Sequence, residues 1–368
     1  MAQQAWYKRY EEVRDEALRY MEALRHIKQD SLQKHEIHSF ARYSDITLIF
    51  ESNTIEKAGT KTKGETREII EKYFPRIPND FRHFQVLDDN SPLLFSKQDL
   101  HDIKSVIEYY WRKDLKPSIS FHNKSRPIDE VIKHYETILM MREIVLNFQI
   151  HGFVKKLRKM EITLAEDDNR VAQIKEIIHS LTGGQNQISA TIQFLNENDI
   201  LTLHGILAND LLPENADVEA GNYRIHDTEV VGVDVKFPAP ELVPAAMTKF
   251  IENSNTRVEQ VLSGQWNEFI MVAAEVSYNF VRIHPFPDFN GRMSRLLLAM
   301  TLRAFGVPFN LALRGSVAKY RNRYFYALKR ANHGDLKPYA TLIAMRLVES
   351  FREIDENLRL AGQKTLLE

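Results

Sequence analysis

The chain has 368 residues, 43% of them hydrophobic and 27% charged, enough for one large domain or two to three smaller ones with ordinary buried cores. Its 49 lysines and arginines against 50 aspartates and glutamates leave no global field to attract nucleic acid or an anionic membrane, so neither is an expected partner. The absence of cysteine excludes disulfides, thiolate metal sites and a cysteine nucleophile.

Residues 1–20 are charged and amphipathic without the apolar core of a signal peptide, and no apolar stretch approaches a membrane span. A cytoplasmic working place is expected, or the interior of a host cell if the chain is exported by a route that leaves no N-terminal mark. Apolar positions at helical spacing predict helices over 5–28 and 31–57, and small polar residues interrupt the pattern at 60–64. Prolines and Asn-Asp pairs across 74–92 predict loop with a small strand, and helical spacing returns at 99–112 and 129–150. Lys155, Lys156, Arg158 and Lys159 form a basic run best explained as a solvated helix face, and a further helical piece lies at 174–178. Gly183, Gly184, Gln185, Asn186 and Gln187 have linker composition, placing a boundary near 186. Beyond it come an amphipathic helix at 200–211 and a valine-rich β-hairpin at 223–237 containing Val230, Val231 and Gly232. Helices follow at 243–253 and 266–281, the second apolar on nearly every face and therefore central. Another ends near Phe305 and Gly306, and 324–330 and 338–358 complete a mainly α fold with one small hairpin.

The densest chemistry lies in residues 284–295, HPFPDFNGRMSR, followed at once by the apolar run 296–300. A polar loop running into a helix start is a natural anion site, because unpaired N–H groups and the helix dipole point at the ligand. Arg292 and Arg295 are three apart and leave one helix face, which suits a polyphosphate better than a single carboxylate. His284 is a candidate general base, Asp288 a candidate Mg²⁺ ligand beside substrate phosphates, and Phe286 an anchor for the loop.

This stretch resembles the Fic family motif HxFx(D/E)GNGRxxR at His284, Phe286, Asp288, Asn290, Gly291, Arg292 and Arg295, and departs from it at Phe289, where the family usually has glycine. The resemblance covers roughly 188–348. It implies the Fic fold, a helical bundle core with a small hairpin flap, at 186–350. N-terminal helices (1–66), a helical accessory region of unknown role (67–185) and a C-terminal helix or tail (351–368) would surround it. It implies transfer of AMP from Mg·ATP to a Ser, Thr or Tyr hydroxyl of a target protein, with a homodimer allowed for. By the same resemblance His284 is the base, Asp288 holds Mg²⁺, Asn290 and Gly291 hold the α-phosphate, and Arg292 and Arg295 carry the β- and γ-phosphates. Tyr324, Phe325 and Asn332 would line the base or ribose, and Val230, Val231 and Gly232 would form the flap that aligns the target.

Ser52-Asn53-Thr54-Ile55-Glu56 resembles the inhibitory motif (S/T)xxxE(G/N) of one Fic class, with Lys57 in the last position and Gly64-Glu65-Thr66 beyond it. The resemblance implies that Glu56 pairs with Arg295 in the γ-phosphate's place. Two rivals remain at this point. The same glutamate could activate water for removal of AMP, or another phosphate ester could be transferred. Alternatively Phe289, at a position expected to need φ > 0, could crowd the phosphates and leave a nucleotide- or protein-binding module.

Overall fold

A computed structural model of the protein describes residues 6–25, 27, 32–74, 126–163, 169–182, 193–229 and 235–368. Among them are eleven α-helices and no strand. In chain order these are α1 (Tyr10–Arg25), α2 (Leu32–Ile55), α3 (Lys63–Tyr73), α4 (Arg126–Thr163), α5 (Asn169–Thr182), α6 (Glu197–Ala208), α7 (Val243–Leu262), α8 (Phe269–Ile283), α9 (Asn290–Ala304), α10 (Ala318–Asn332) and α11 (Lys337–Leu360).

At the centre α8 and α9 pack together. Every residue of α9 except Gly291 is buried, so its apolar run has no solvent face to reserve for polar residues. α7 and α11 flank α8, and α4 flanks α9 and α6. α2 is wedged between α4 and α11 and also touches α9. It buries Phe40, Leu48, Ser52 and Ile55 on more than one side, which brings the end of an N-terminal helix to the start of α9. One continuous apolar cluster runs from Tyr10 to Leu366. The boundaries expected at 66 and 350 fall inside α3 and α11 respectively.

The basic run at 155–159 belongs to α4, whose inward residues Phe153, Val154 and Leu157 carry the helix past the charges. α10 is longer than the predicted 324–330. The predicted hairpin has no strand in its described flanks, 223–229 and 235–237. Its centre, with Val230, Val231 and Gly232, lies outside the described residues, as do the loop and strand expected at 75–92, the helix at 99–112 and the linker at 183–187. No helix among the described residues is long and apolar enough to cross a membrane.

Candidate active site

α8 stops at His284, which takes a left-handed conformation (φ 52°) and donates its backbone N–H to the Phe280 carbonyl. Left-handed caps are usually glycine, so a histidine here trades some backbone ease for a fixed ring. Its Nδ1 lies 3.2 Å from the Val281 carbonyl oxygen, which can only accept. Nδ1 therefore carries the proton and Nε2 keeps a lone pair, the tautomer a base requires. Burial, offset in part by the Val281 contact, pushes the imidazole down to about 4, so it is neutral at pH 7.

Two residues that sequence reasoning missed grip this half of the motif. Arg224 is 3% exposed and donates Nε to the His284 carbonyl (2.8 Å), Nη1 to the His226 carbonyl (2.9 Å) and Nη2 to the Pro238 carbonyl (2.5 Å). Its backbone N–H reaches the Pro285 carbonyl at 2.9 Å. One guanidinium thus joins His226 and Pro238 to the motif loop at His284. His204, on α6, is stacked on Phe286 with centroids 3.7 Å apart. It accepts the Gly221 N–H at Nδ1 (2.9 Å), so its Nε2 donates to the Asp288 carbonyl at 3.2 Å. Burial pushes it down to about 3, which keeps that donor pattern at neutral pH.

Asn290 closes the loop on itself: Oδ1 accepts the Phe286 N–H (3.0 Å) and Nδ2 donates to the Phe286 carbonyl (2.7 Å). Its side chain is therefore committed to loop shape, and the anion-facing groups at this helix start are backbone N–H groups of the first turn. One Asp288 oxygen accepts the Phe289 N–H at 2.5 Å, leaving the other for a cation. No cluster of three metal-ligating side chains exists among the described residues. A single carboxylate beside an anion cradle nevertheless fits Mg²⁺, which takes few protein ligands and completes its shell from phosphates and water. Phe289 has φ 64° and its ring is buried at 2% exposure, packed against Arg292 and edge-on to His204.

The arginine half is held by different elements. Arg295 is 2% exposed; its Nε donates to Ser52 Oγ (2.9 Å), and Nη2 donates to the Ser52 carbonyl (3.1 Å) and to Glu56 Oε1 (2.7 Å). Its Nη1 lies 3.5 Å from the Tyr324 hydroxyl. A Cβ placed on Gly291 would stand 2.5 Å from Glu56 Oε1, so the carboxylate rests on the first turn of α9. That is where an anion would sit. The Glu56 side chain is 36% exposed overall, yet its tip is inside the site. Burial alone would raise its carboxyl, but Arg295 first, then Arg292 and His284, hold it below the usual range. Lys57 follows at φ 57°, a conformation that suits the Gly or Asn of the inhibitory pattern. Thr62 and Glu65 then form a capping box at the start of α3.

Arg292 lies with its guanidinium carbon 3.6 Å from the Phe289 ring centroid and Nη1 3.8 Å from Glu130 Oε1, on α4. Glu130 also accepts the Gly59 N–H at 2.6 Å. The structure thus gathers His284, Asp288, Asn290, Gly291, Arg292, Arg295, Ser52, Glu56 and Tyr324. Of the described candidates two stand apart: Phe325 points to the surface at 45% exposure, because its neighbour Tyr324 occupies the inward face of α10. Asn332 accepts from the Tyr278 hydroxyl at 3.1 Å, eight residues and about 12 Å along the helix from Tyr324.

Residues 194–302 match the Fic/DOC family. A curated relative from Culex quinquefasciatus, "Protein adenylyltransferase Fic", is 29% identical over 224 residues, 59% of this chain and 42% of that protein. The Drosophila yakuba protein of the same name is 34% identical over 146 residues, 40% of this chain and 26% of that protein. These matches span less than half the length of the relatives. Among solved structures, a Fic-domain-containing signalling protein from Bacteroides thetaiotaomicron is 15% identical, with TM-score 0.56 and coverage of 96% of this chain and 98% of that one. Fic-1 from C. elegans is 18% identical, with TM-score 0.51 and coverage of 98% and 74%. At these identities the two structures speak to fold alone, and the fold is theirs. With the family match spanning α6 to α9 and the motif's histidine, asparagine and arginines converging on one helix start, residues 194–302 resemble a Fic domain in both sequence and arrangement.

Proposed function

We propose that the protein is a protein adenylyltransferase restrained by its own Glu56. The observation that carries this reading is the Glu56 carboxylate lying on Gly291 and Arg295, an internal anion in the place of a phosphate, within the electrostatic reach of a neutral His284. In the forward reaction His284 Nε2 accepts the proton of a target Ser, Thr or Tyr hydroxyl as its oxygen bonds to the α-phosphorus of ATP. The α–β phosphoanhydride bond breaks and pyrophosphate leaves with the electron pair. Backbone N–H groups at the start of α9 take the α-phosphate charge, and Arg292 and Arg295 the outer phosphates. Asp288 would hold Mg²⁺, which when bound neutralises phosphate charge.

A second reading uses the same site for hydrolysis: a water oxygen bonds to phosphorus as the phosphorus–oxygen bond to the target breaks, and the target oxygen takes up a proton. Held ionised beside His284, Glu56 can orient and activate a water for release of AMP from a modified target. Incubation with α-labelled ATP and Mg²⁺ separates the two. Label on protein that rises in Glu56→Gly and falls by roughly 10²–10⁴-fold in that variant carrying His284→Ala supports transfer. Release of AMP from a premodified target, lost in Glu56→Ala, supports removal. Transfer that survives His284→Ala undiminished defeats both.

A further inference from the structure

The residue at which this chain departs from the Fic pattern is in contact with one of the two arginines. Phe289 keeps a left-handed backbone (φ 64°, ψ 4°) that residues with a Cβ rarely adopt, and nothing in the turn itself rewards a phenyl ring. The ring is buried in the core and edge-on to His204 at 6.4 Å, and its face carries the Arg292 guanidinium at 3.6 Å. Arg292 is 5% exposed, its Nη1 is 3.8 Å from Glu130, and its Nε has no hydrogen-bond partner. Glu56 meanwhile bonds Arg295. A carboxylate that oriented Arg292 closely would consume its N–H donors and cancel its charge. A π face orients the planar cation while leaving those donors for an incoming oxyanion.

We propose that Phe289 is a positioning residue for Arg292, its ring serving as the platform that presents the guanidinium to the outer phosphates of a nucleoside triphosphate. This rests on the reading of the site as one for ATP. The platform acts only on a ligand long enough to reach Arg292, so it sets discrimination between tri- and monophosphate rather than affinity in general.

Calorimetric titration of ATP and of AMP into a His284→Ala, Glu56→Gly protein, which binds without turnover, provides the reference. Adding Phe289→Leu keeps the apolar volume and removes the π face. ATP affinity should then fall roughly two- to thirty-fold, the range of a cation–π contact from exposed to desolvated, with AMP affinity unchanged. Equal losses for both nucleotides would mean that the loop is merely distorted, and unchanged ATP affinity would mean that the ring positions nothing; either overturns the proposal. A reference protein that binds no ATP removes the nucleotide reading and the proposal together, which is a different failure from a reference that binds and a variant that matches it. If the leucine variant shows no cooperative melting transition, Phe289→Gly, which suits φ 64°, is read by the same criteria.

Discussion

The two halves of the motif are held in opposite ways. Around His284 and Asp288 the grip is on backbone: Arg224 takes the His284 carbonyl, His204 the Asp288 carbonyl, and Asn290 both polar groups of Phe286. All of these residues lie within 194–302, the segment that matches the family. Around the arginines the grip is on side chains, and both acidic partners, Glu56 and Glu130, come from outside that segment. A hydrogen bond to a buried carbonyl has no competitor in a substrate solution. An ion pair between a guanidinium and a carboxylate has one, because a polyphosphate offers the same charge and more oxygens. The His284 half is therefore held by bonds that a substrate does not contest, and the arginine half by ion pairs that a polyphosphate can contest.

The strongest way to break this contrast is Arg224→Ala. Three carbonyls lose a donor, His226 and Pro238 separate from the motif loop, and His284 is free to shift. A displacement near 1 Å costs about 10²-fold in turnover, with KM for ATP nearly constant because the arginines are untouched. Arg224→Lys should not restore the rate, since one ammonium cannot span the fork. Initial rates that stay within twofold would show that the backbone grip is incidental. Glu56→Gly tests the other half: removing a charge-assisted bond worth roughly 1.5–3 kcal/mol should raise ATP affinity about tenfold or more. Titration with ATP that shows no gain would mean Glu56 does not occupy the anion's place.

The same contrast explains what could be read in advance. α8 and α9 were legible as continuous apolar runs, and α1 and α2 as periodic ones, because burial writes itself into hydrophobic spacing. His284, Arg292 and Arg295 could be singled out from residue type and spacing at a helix start, whereas Glu56 stood out only through its resemblance to the inhibitory motif. Arg224 and His204 were not legible, because their partners are carbonyls and a carbonyl leaves no mark on residue identity. The consequence of Phe289 was half legible. Its left-handed turn followed from the glycine it replaces, but the stacking of its ring on Arg292 three residues on did not, because no spacing rule pairs a loop residue with a helix guanidinium. Asn290 was assigned to phosphate together with Gly291, and the loop-closing bonds of its side chain to Phe286 were not foreseen.

Acidity separates the halves next. His204 and His284 are pushed down to about 3 and about 4, and buried His134 well below its ordinary value, all chiefly by desolvation. An unfolded chain takes up protons at these positions below about 6.5 and the folded one does not. Their contribution is thus fully present above 6.5 and is lost as pH falls toward 4, by at most ~1.4 kcal/mol per pH unit for each group. The melting temperature should fall between pH 7 and pH 5, before most carboxylates titrate. Because the Glu56 carboxyl is held low, the affinity gain of Glu56→Gly should persist at pH 5. A flat melting profile, or a gain that vanishes at pH 5, would contradict these protonation states.

The smallest effect should come from Glu130→Gln, which keeps the shape of a side chain that accepts the Gly59 N–H and stands 3.8 Å from Arg292. Losing the charge leaves Arg292 with the Phe289 ring and a freer hand toward phosphate. At 3.8 Å the pair is beyond hydrogen-bond reach and the same Glu130 oxygen lies closer to Arg126, so ATP affinity should rise by less than in Glu56→Gly. The background decides what Glu130 restrains. If it acts on Arg292, the gain is equal with and without Glu56. If it acts by tethering Gly59, three residues beyond Glu56, the gain disappears in Glu56→Gly. Equal gains are expected, because glutamine can still accept the Gly59 N–H, so the substitution removes the charge and leaves the tether.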